Sequence, residues 1–210
     1  MTTSKLMEVF NLEDILDLPE KVKTVLDGDL EARNNIYLSL IEANNYDMSY
    51  DWFQETYEEE FAQRAKGKQD FTPNSVSLIA SKLTGQKKGF IYEPTAGNGG
   101  MIIMDWWQRC LNSAYPIMHF PSDNIVVCWE LSNRSLPLLL FNLSIRGIMG
   151  YVFHGDVLSQ QIKMKYILVN KKNDTLAFSE VFKDPDNKNW IFGETLFQEE
   201  SIYKPFKNIY

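Results

Sequence analysis

The chain has 210 residues, 44% of them hydrophobic and 23% charged, with a formal net charge of −7. This is enough for one α/β domain with a small accessory element, and too acidic for tight, non-specific nucleic-acid binding. No run of about 18 apolar residues occurs and the N-terminus lacks a signal-peptide pattern, so no membrane span is expected and a cytoplasmic location is.

Charge divides the chain unevenly. Residues 1–65 hold 15 acidic and 5 basic side chains, against 13 and 16 in the remainder. The acidic part reads as helical: Leu12, Ile15, Leu16 and Leu18 lie near helical spacing, Val22, Val25 and Leu26 follow Pro19, and Ile36, Leu38, Leu40 and Ile41 make another segment. Trp52, Phe53, Tyr57 and Phe61 recur at roughly helical intervals in a third. The outer surface of these helices is either a solvated face or a docking face for a protein partner. Lys66-Gly67-Lys68-Gln69 is a break, which places an N-terminal helical segment at 1–68 and a second unit at 69–210.

The second unit opens with Asp70-Phe71-Thr72-Pro73, in which Thr72 suits an N-cap and Pro73 a first helical position, before a helix carrying Val76, Leu78, Ile79, Ala80 and Leu83. From Gly89 strands and helices alternate: strand 89–93, helix 100–112, strand 124–130, helix 133–146 despite Pro137, then strands 150–154 and 165–169. This pattern predicts a parallel sheet with crossover helices. The stretch Ile91-Tyr92-Glu93-Pro94-Thr95-Ala96-Gly97-Asn98-Gly99-Gly100 runs from an apolar strand through an acid into a glycine-rich turn, and its spacing is that of neither a dinucleotide fingerprint nor a phosphate loop. The next strands end in Glu130 and in Gly155-Asp156, so three acids converge where a parallel sheet places its ligand. Cys110, Cys128, His119 and His154 have no metal-type spacing, and no metal is expected. Asp184-Pro185-Asp186-Asn187 sits between aromatic, alternating stretches (175–182 and 189–197) and reads as a hairpin turn. The aromatic, lysine-containing tail, with Tyr203, Lys204, Phe206, Lys207 and Tyr210, reads as packing on the sheet or, alternatively, as a nucleic-acid contact.

The turn at 93–100, together with Phe71-Thr72-Pro73 before it and Glu130 and Gly155-Asp156-Val157-Leu158 after it, resembles the adenine-N6 DNA methyltransferases, closest to the modification subunits of type I restriction systems. The resemblance spans roughly residues 69–170. It implies a Rossmann-like α/β fold with S-adenosylmethionine as cofactor. It also implies that Phe71, Thr72 and the loop residues Glu93, Pro94, Thr95, Gly97, Asn98 and Gly99 line the cofactor pocket, with Glu130 on the ribose and Asp156 on the adenine ring. DNA would be the substrate, with help from a partner chain. In the family a fourth strand leads into Asn/Asp-Pro-Pro-Tyr/Phe, whose acceptors and ring hold the flipped adenine. Here Lys165-Tyr166-Ile167-Leu168-Val169 is followed by Asn170-Lys171-Lys172-Asn173. Asn170 is the one candidate catalytic side chain, and the resemblance then implies weakened or lost catalysis or, alternatively, a non-catalytic regulatory protein.

Overall fold

A computed structural model describes residues 1–56, 72–84, 88–113 and 119–185. Three N-terminal helices, α1 (Thr3–Phe10), α2 (Leu18–Asp27) and α3 (Leu30–Ala43), precede α4 (Asn74–Thr84). The rest follows as β1 (Gly89–Glu93), α5 (Gly100–Asn112), β2 (Asn124–Glu130), α6 (Ser135–Ile145), β3 (Met149–Asp156), β4 (Gln161–Val169) and β5 (Glu180–Asp184). The five strands form one sheet in the order β1-β2-β3-β4-β5.

The expected parallel sheet is only half present. β1, β2 and β3 are parallel, with α5 and α6 as their crossovers, but β4 runs antiparallel to β3 and β5 antiparallel to β4. The cause is the connection. Four residues, 157–160, join β3 to β4, and so short a link can close a hairpin but cannot make a crossover. β3 and β4 are also longer than the expected 150–154 and 165–169. They grow toward each other to meet at Asp156 and Gln161. The expected strand 175–182 is shifted to Glu180–Asp184, and the rest of the hairpin and the tail lie outside the described residues. So do Tyr57, Phe61 and the 66–69 break.

Apart from Ser135, Asn142 and Ser144 the α6 sequence is apolar on every side, and every residue of the helix is buried, as such a helix requires. One side, with Leu138, Phe141 and Ile145, meets Phe10, Leu18, Val22, Tyr37 and Leu40 of the N-terminal helices. The other, with Leu136, Leu139, Leu140 and Leu143, packs on Ile91, Val126, Cys128 and Val152 of the sheet. Pro137 falls in the first turn, where no intrahelical hydrogen bond is lost. The ring of Phe141 meets Tyr37 edge-on at 4.7 Å between centroids and lies 5.6 Å from both Phe10 and Phe53. The acidic segment and the sheet unit therefore share a core.

α4 forms where a helix is expected, but its apolar residues are not the ones it buries. It buries Ser77 and Ser81, the latter donating to Asp105 Oδ1 at 2.9 Å, while Val76, Ile79 and Leu83 face outward.

At the C-terminal end of α6, Arg146 is 2% exposed and fastens the segment before residue 56 to the sheet unit. Its guanidinium donates to Met48 O at 3.0 Å, Tyr50 O at 2.6 Å and the Asn142 carbonyl at 2.9 Å, and it lies 5.0 Å from the Trp52 ring centre. Arg146→Met should cost about 3–5 kcal/mol in urea denaturation at pH 8, because Asp51 is left a buried charge without the guanidinium beside it. Burial pushes the Asp51 carboxyl up from 3.8 to about 6. The folded state therefore prefers the protonated form, and the stability tied to Asp51 is present at low pH and lost as pH rises through about 6. The penalty in Arg146→Met should accordingly shrink at pH 5.

Candidate functional site

Three carboxylates end the three parallel strands side by side: Glu93 on β1, Glu130 on β2 and Asp156 on β3. Between β1 and α5 the chain makes the glycine turn. Gly97 has φ 56° and Gly99 φ 94°, backbone that a side chain disfavours. A Cβ on Gly99 would also lie 3.0 Å from Leu139 Cδ1, so this glycine lets the turn sit flush on α6. The turn is held from both sides. Ala96 N donates to Trp129 O at 2.8 Å, and Gly99 N to Ala96 O at 2.8 Å. Thr95 N donates to Glu93 Oε1 at 3.1 Å.

Glu130 is 6% exposed and bridges two loops. Oε2 accepts from Gly97 N at 2.7 Å and Oε1 from Ser132 N at 2.6 Å. Burial raises its carboxyl above the ordinary range, and the backbone donors pull it back. Asp156 sits at the hairpin turn, where Leu158 N donates to Oδ1 and Ser159 Oγ to Oδ2, both at 2.9 Å. The Ser159 bond, then that of Leu158, holds this carboxyl low.

These elements enclose a cavity of about 430 Å³, within the size range of small-molecule sites. Thr72, Glu93, Pro94, Thr95, Gly97, Asn98, Glu130 and Asp156 all line it. Gly99 supports the turn from behind, as the N-cap of α5. Phe71 lies outside the described residues.

Residues 48–203 match the family model described as N-6 DNA methylase. The chain belongs to the N-6 DNA methylase family. The solved structures add a fold match: a candidate class I S-adenosylmethionine-dependent methyltransferase from Listeria monocytogenes superposes with a TM-score of 0.52 at 15% identity, covering 74% of this chain. This chain in turn covers 54% of that one, so it spans about half of its length. No curated protein matches. Among the described residues no helix is long and apolar enough to cross a membrane.

Asn170 is not brought to the cavity. β4 is antiparallel, with Leu168 opposite Gly150, so Asn170 follows it at the amino end of β3. Asn170 is thus level with Ile148, and Asp156 lies eight residues further along β3, roughly 26 Å away at ~3.3 Å per residue. The Asn170 side chain is fully buried, with Nδ2 donating to Gly147 O, Asp174 O and Ala177 O at 3.2, 2.8 and 3.0 Å. It organises the turn after β4. Asn170→Ala should cost about 2–3 kcal/mol of stability, since three carbonyls lose a buried donor, and should leave ligand affinity in the cavity unchanged by titration. Lys171, the first of the two lysines after it, pairs with Glu180 at 2.8 Å on the β4–β5 side.

Two buried polar residues behind the cavity carry a role that sequence reasoning did not assign. Asn142 Nδ2 donates to Asp51 Oδ1 at 2.7 Å and to Asn98 O at 2.9 Å, which ties the N-terminal segment to the glycine turn. Asp51 itself lines the cavity. The visible signals were an asparagine among the leucines and phenylalanine of a mostly apolar helix and an acid set among Tyr50, Trp52 and Phe53.

Proposed function

We propose that this chain binds S-adenosylmethionine in the cavity bounded by Thr72, the Gly97 turn, Glu130 and Asp156, and that it does not by itself complete a site for methylating adenine. The observation that carries the first half is the charge of the wall. Asp51, Glu93, Glu130 and Asp156 line the cavity and, among the described residues, no lysine, arginine or histidine does. A phosphate held ~5 Å from one carboxylate is repelled by about 3 kcal/mol at an effective dielectric of 20. A phosphate-bearing nucleotide is thus disfavoured, whereas a ligand with a sulfonium and an ammonium is drawn in. When bound, S-adenosylmethionine supplies a methyl group activated on sulfur.

The strand order suggests how the chain orients this ligand. The base lies beside Asp156 on β3 and the ribose on Glu130 of β2. Each Glu130 oxygen accepts one backbone amide and keeps a lone pair for a hydroxyl. The amino-acid end then falls near β1 and the N-terminus of α5, whose Gly100 and Met101 line the cavity, a place suited to a carboxylate.

The second half is supported by the reversal of β4, which keeps Asn170 from the strand ends where the acids gather. Calorimetric titration with S-adenosylmethionine and S-adenosylhomocysteine, followed by methyl incorporation into mixed-sequence DNA, tests both halves. Binding without incorporation is expected. Incorporation would mean that another acceptor, in this chain or a partner, serves the reaction; failure to bind either compound would leave only the fold.

A further inference from the structure

We infer that Asp51, carried by the N-terminal segment, is the counter-ion for a primary ammonium group in the cavity, the α-amine of the ligand's amino-acid end. This rests on reading the cavity as an S-adenosylmethionine site. Asp51 is 3% exposed and lines the cavity. Its Oδ1 accepts from Phe53 N at 2.9 Å and Asn142 Nδ2 at 2.7 Å, both neutral donors. Among the described residues no basic nitrogen pairs with it within 4.0 Å. Two cations act on it through charge without bonding to it: Arg146, which spends its hydrogens on the carbonyls of Met48, Tyr50 and Asn142 and on Asn142 Oδ1, and the Met1 ammonium, which donates to the Tyr50 hydroxyl at 2.5 Å. A buried carboxylate ordinarily has an ionic partner. Here the wall of the cavity is the side from which one can come.

A second observation points the same way. Asn98 is 1% exposed and lines the cavity; its amide N–H group is turned to the Asp51 carboxylate, and its Oδ1 has no hydrogen-bond partner. The amide lies beside the Asp51 carboxylate and favours its ionised form. An ammonium has three N–H donors, and Asp51 with Asn98 Oδ1 supplies two acceptors for them. Position agrees as well. A Cβ on Gly100 would be 3.9 Å from Asp51 Cβ, so the carboxylate stands over the first residue of α5. The α5 amides there suit the carboxylate of the same zwitterion. Glu93, the other acid on this side, turns Oε1 onto Thr95 N and Oγ1.

The test compares S-adenosylhomocysteine with its analogue bearing hydrogen in place of the α-ammonium, titrated calorimetrically into the full chain, Asp51→Asn and Glu93→Gln. On the native chain the analogue should bind on the order of 10- to 100-fold more weakly. In Asp51→Asn the two ligands should come within about threefold of one another, while in Glu93→Gln the gap should persist. If Asp51→Asn fails to fold, Asn98→Ala, which leaves the Asp51 bonds to Phe53 and Asn142 in place, should narrow the gap in the same direction. Equal binding of both ligands by the native chain overturns the assignment of Asp51 while leaving the cofactor site standing. So does a gap that survives Asp51→Asn, or that survives Asn98→Ala where Asp51→Asn does not fold. A native chain that binds neither compound overturns the cofactor reading, and this inference with it.

Discussion

Glu130→Ala should abolish the heat stabilisation that S-adenosylhomocysteine confers on the native chain. At 100 times its dissociation constant a ligand stabilises its site by about 2.7 kcal/mol, which for a chain of this size moves the midpoint by roughly 5–10 °C. The loss has two causes that act together. The carboxylate is the proposed partner of the ribose hydroxyls, and it also clamps Gly97 N and Ser132 N at 2.7 and 2.6 Å, holding the turn in its open-mouthed shape. Glutamine separates them poorly, because its NH₂ group must face one of those two backbone N–H groups. Glu130→Gln should therefore lose most of the shift too. Differential scanning calorimetry with and without ligand measures both variants. An undiminished shift in Glu130→Ala would remove Glu130 from the ligand and would mean that the turn keeps its shape without the clamp.

Gly150→Ala should destabilise the fold by at least about 4 kcal/mol, a large part of the roughly 5–15 kcal/mol that holds a typical domain together. Gly150 pairs with Val126 where β3 joins β2. A Cβ built there would lie 2.0 Å from Val126 O and 2.9 Å from Val126 N. Both are backbone atoms in a buried strand, so the two strands must separate. Gly100→Ala is the stability control. Its Cβ would meet only Asp51 Cβ, at 3.9 Å, and the change should stay within about 1 kcal/mol. Urea denaturation reads both, and similar midpoints for the two variants would contradict the close approach of β2 and β3.

The elements that position the cavity were legible because their physics is local. An apolar run ending in an acid, Asn124–Glu130, is what a buried strand with a polar tip needs, and all seven residues are buried. Glycines at 97 and 99 announced the turn, and both take positive φ. The sense of β4 was not legible from its own residues, since Lys165-Tyr166-Ile167-Leu168-Val169 reads identically in either direction. Direction is fixed by the link before it, and the 157–160 connection is too short for the crossover that a parallel strand requires. Asp51 escaped for a different reason. It stands some forty residues before the glycine turn and reaches the cavity because Trp52 and Phe53 bury its segment in the shared core and Arg146 and Asn142, both on or next to α6, bond to it. Such a role depends on tertiary packing and leaves no spacing signal.

The antiparallel sense of β4 also bears on what it would take to give this chain the family's acceptor motif at the cavity. Writing Pro-Pro-Tyr into positions 171–173 would supply the letters of the family's acceptor motif, yet it would set them at the amino end of β3, with the length of that strand between them and the cavity. A side chain can be supplied by a single codon change. A strand of the opposite sense cannot, because the link at 157–160 would first have to be replaced by a crossover long enough to carry the chain back along the sheet.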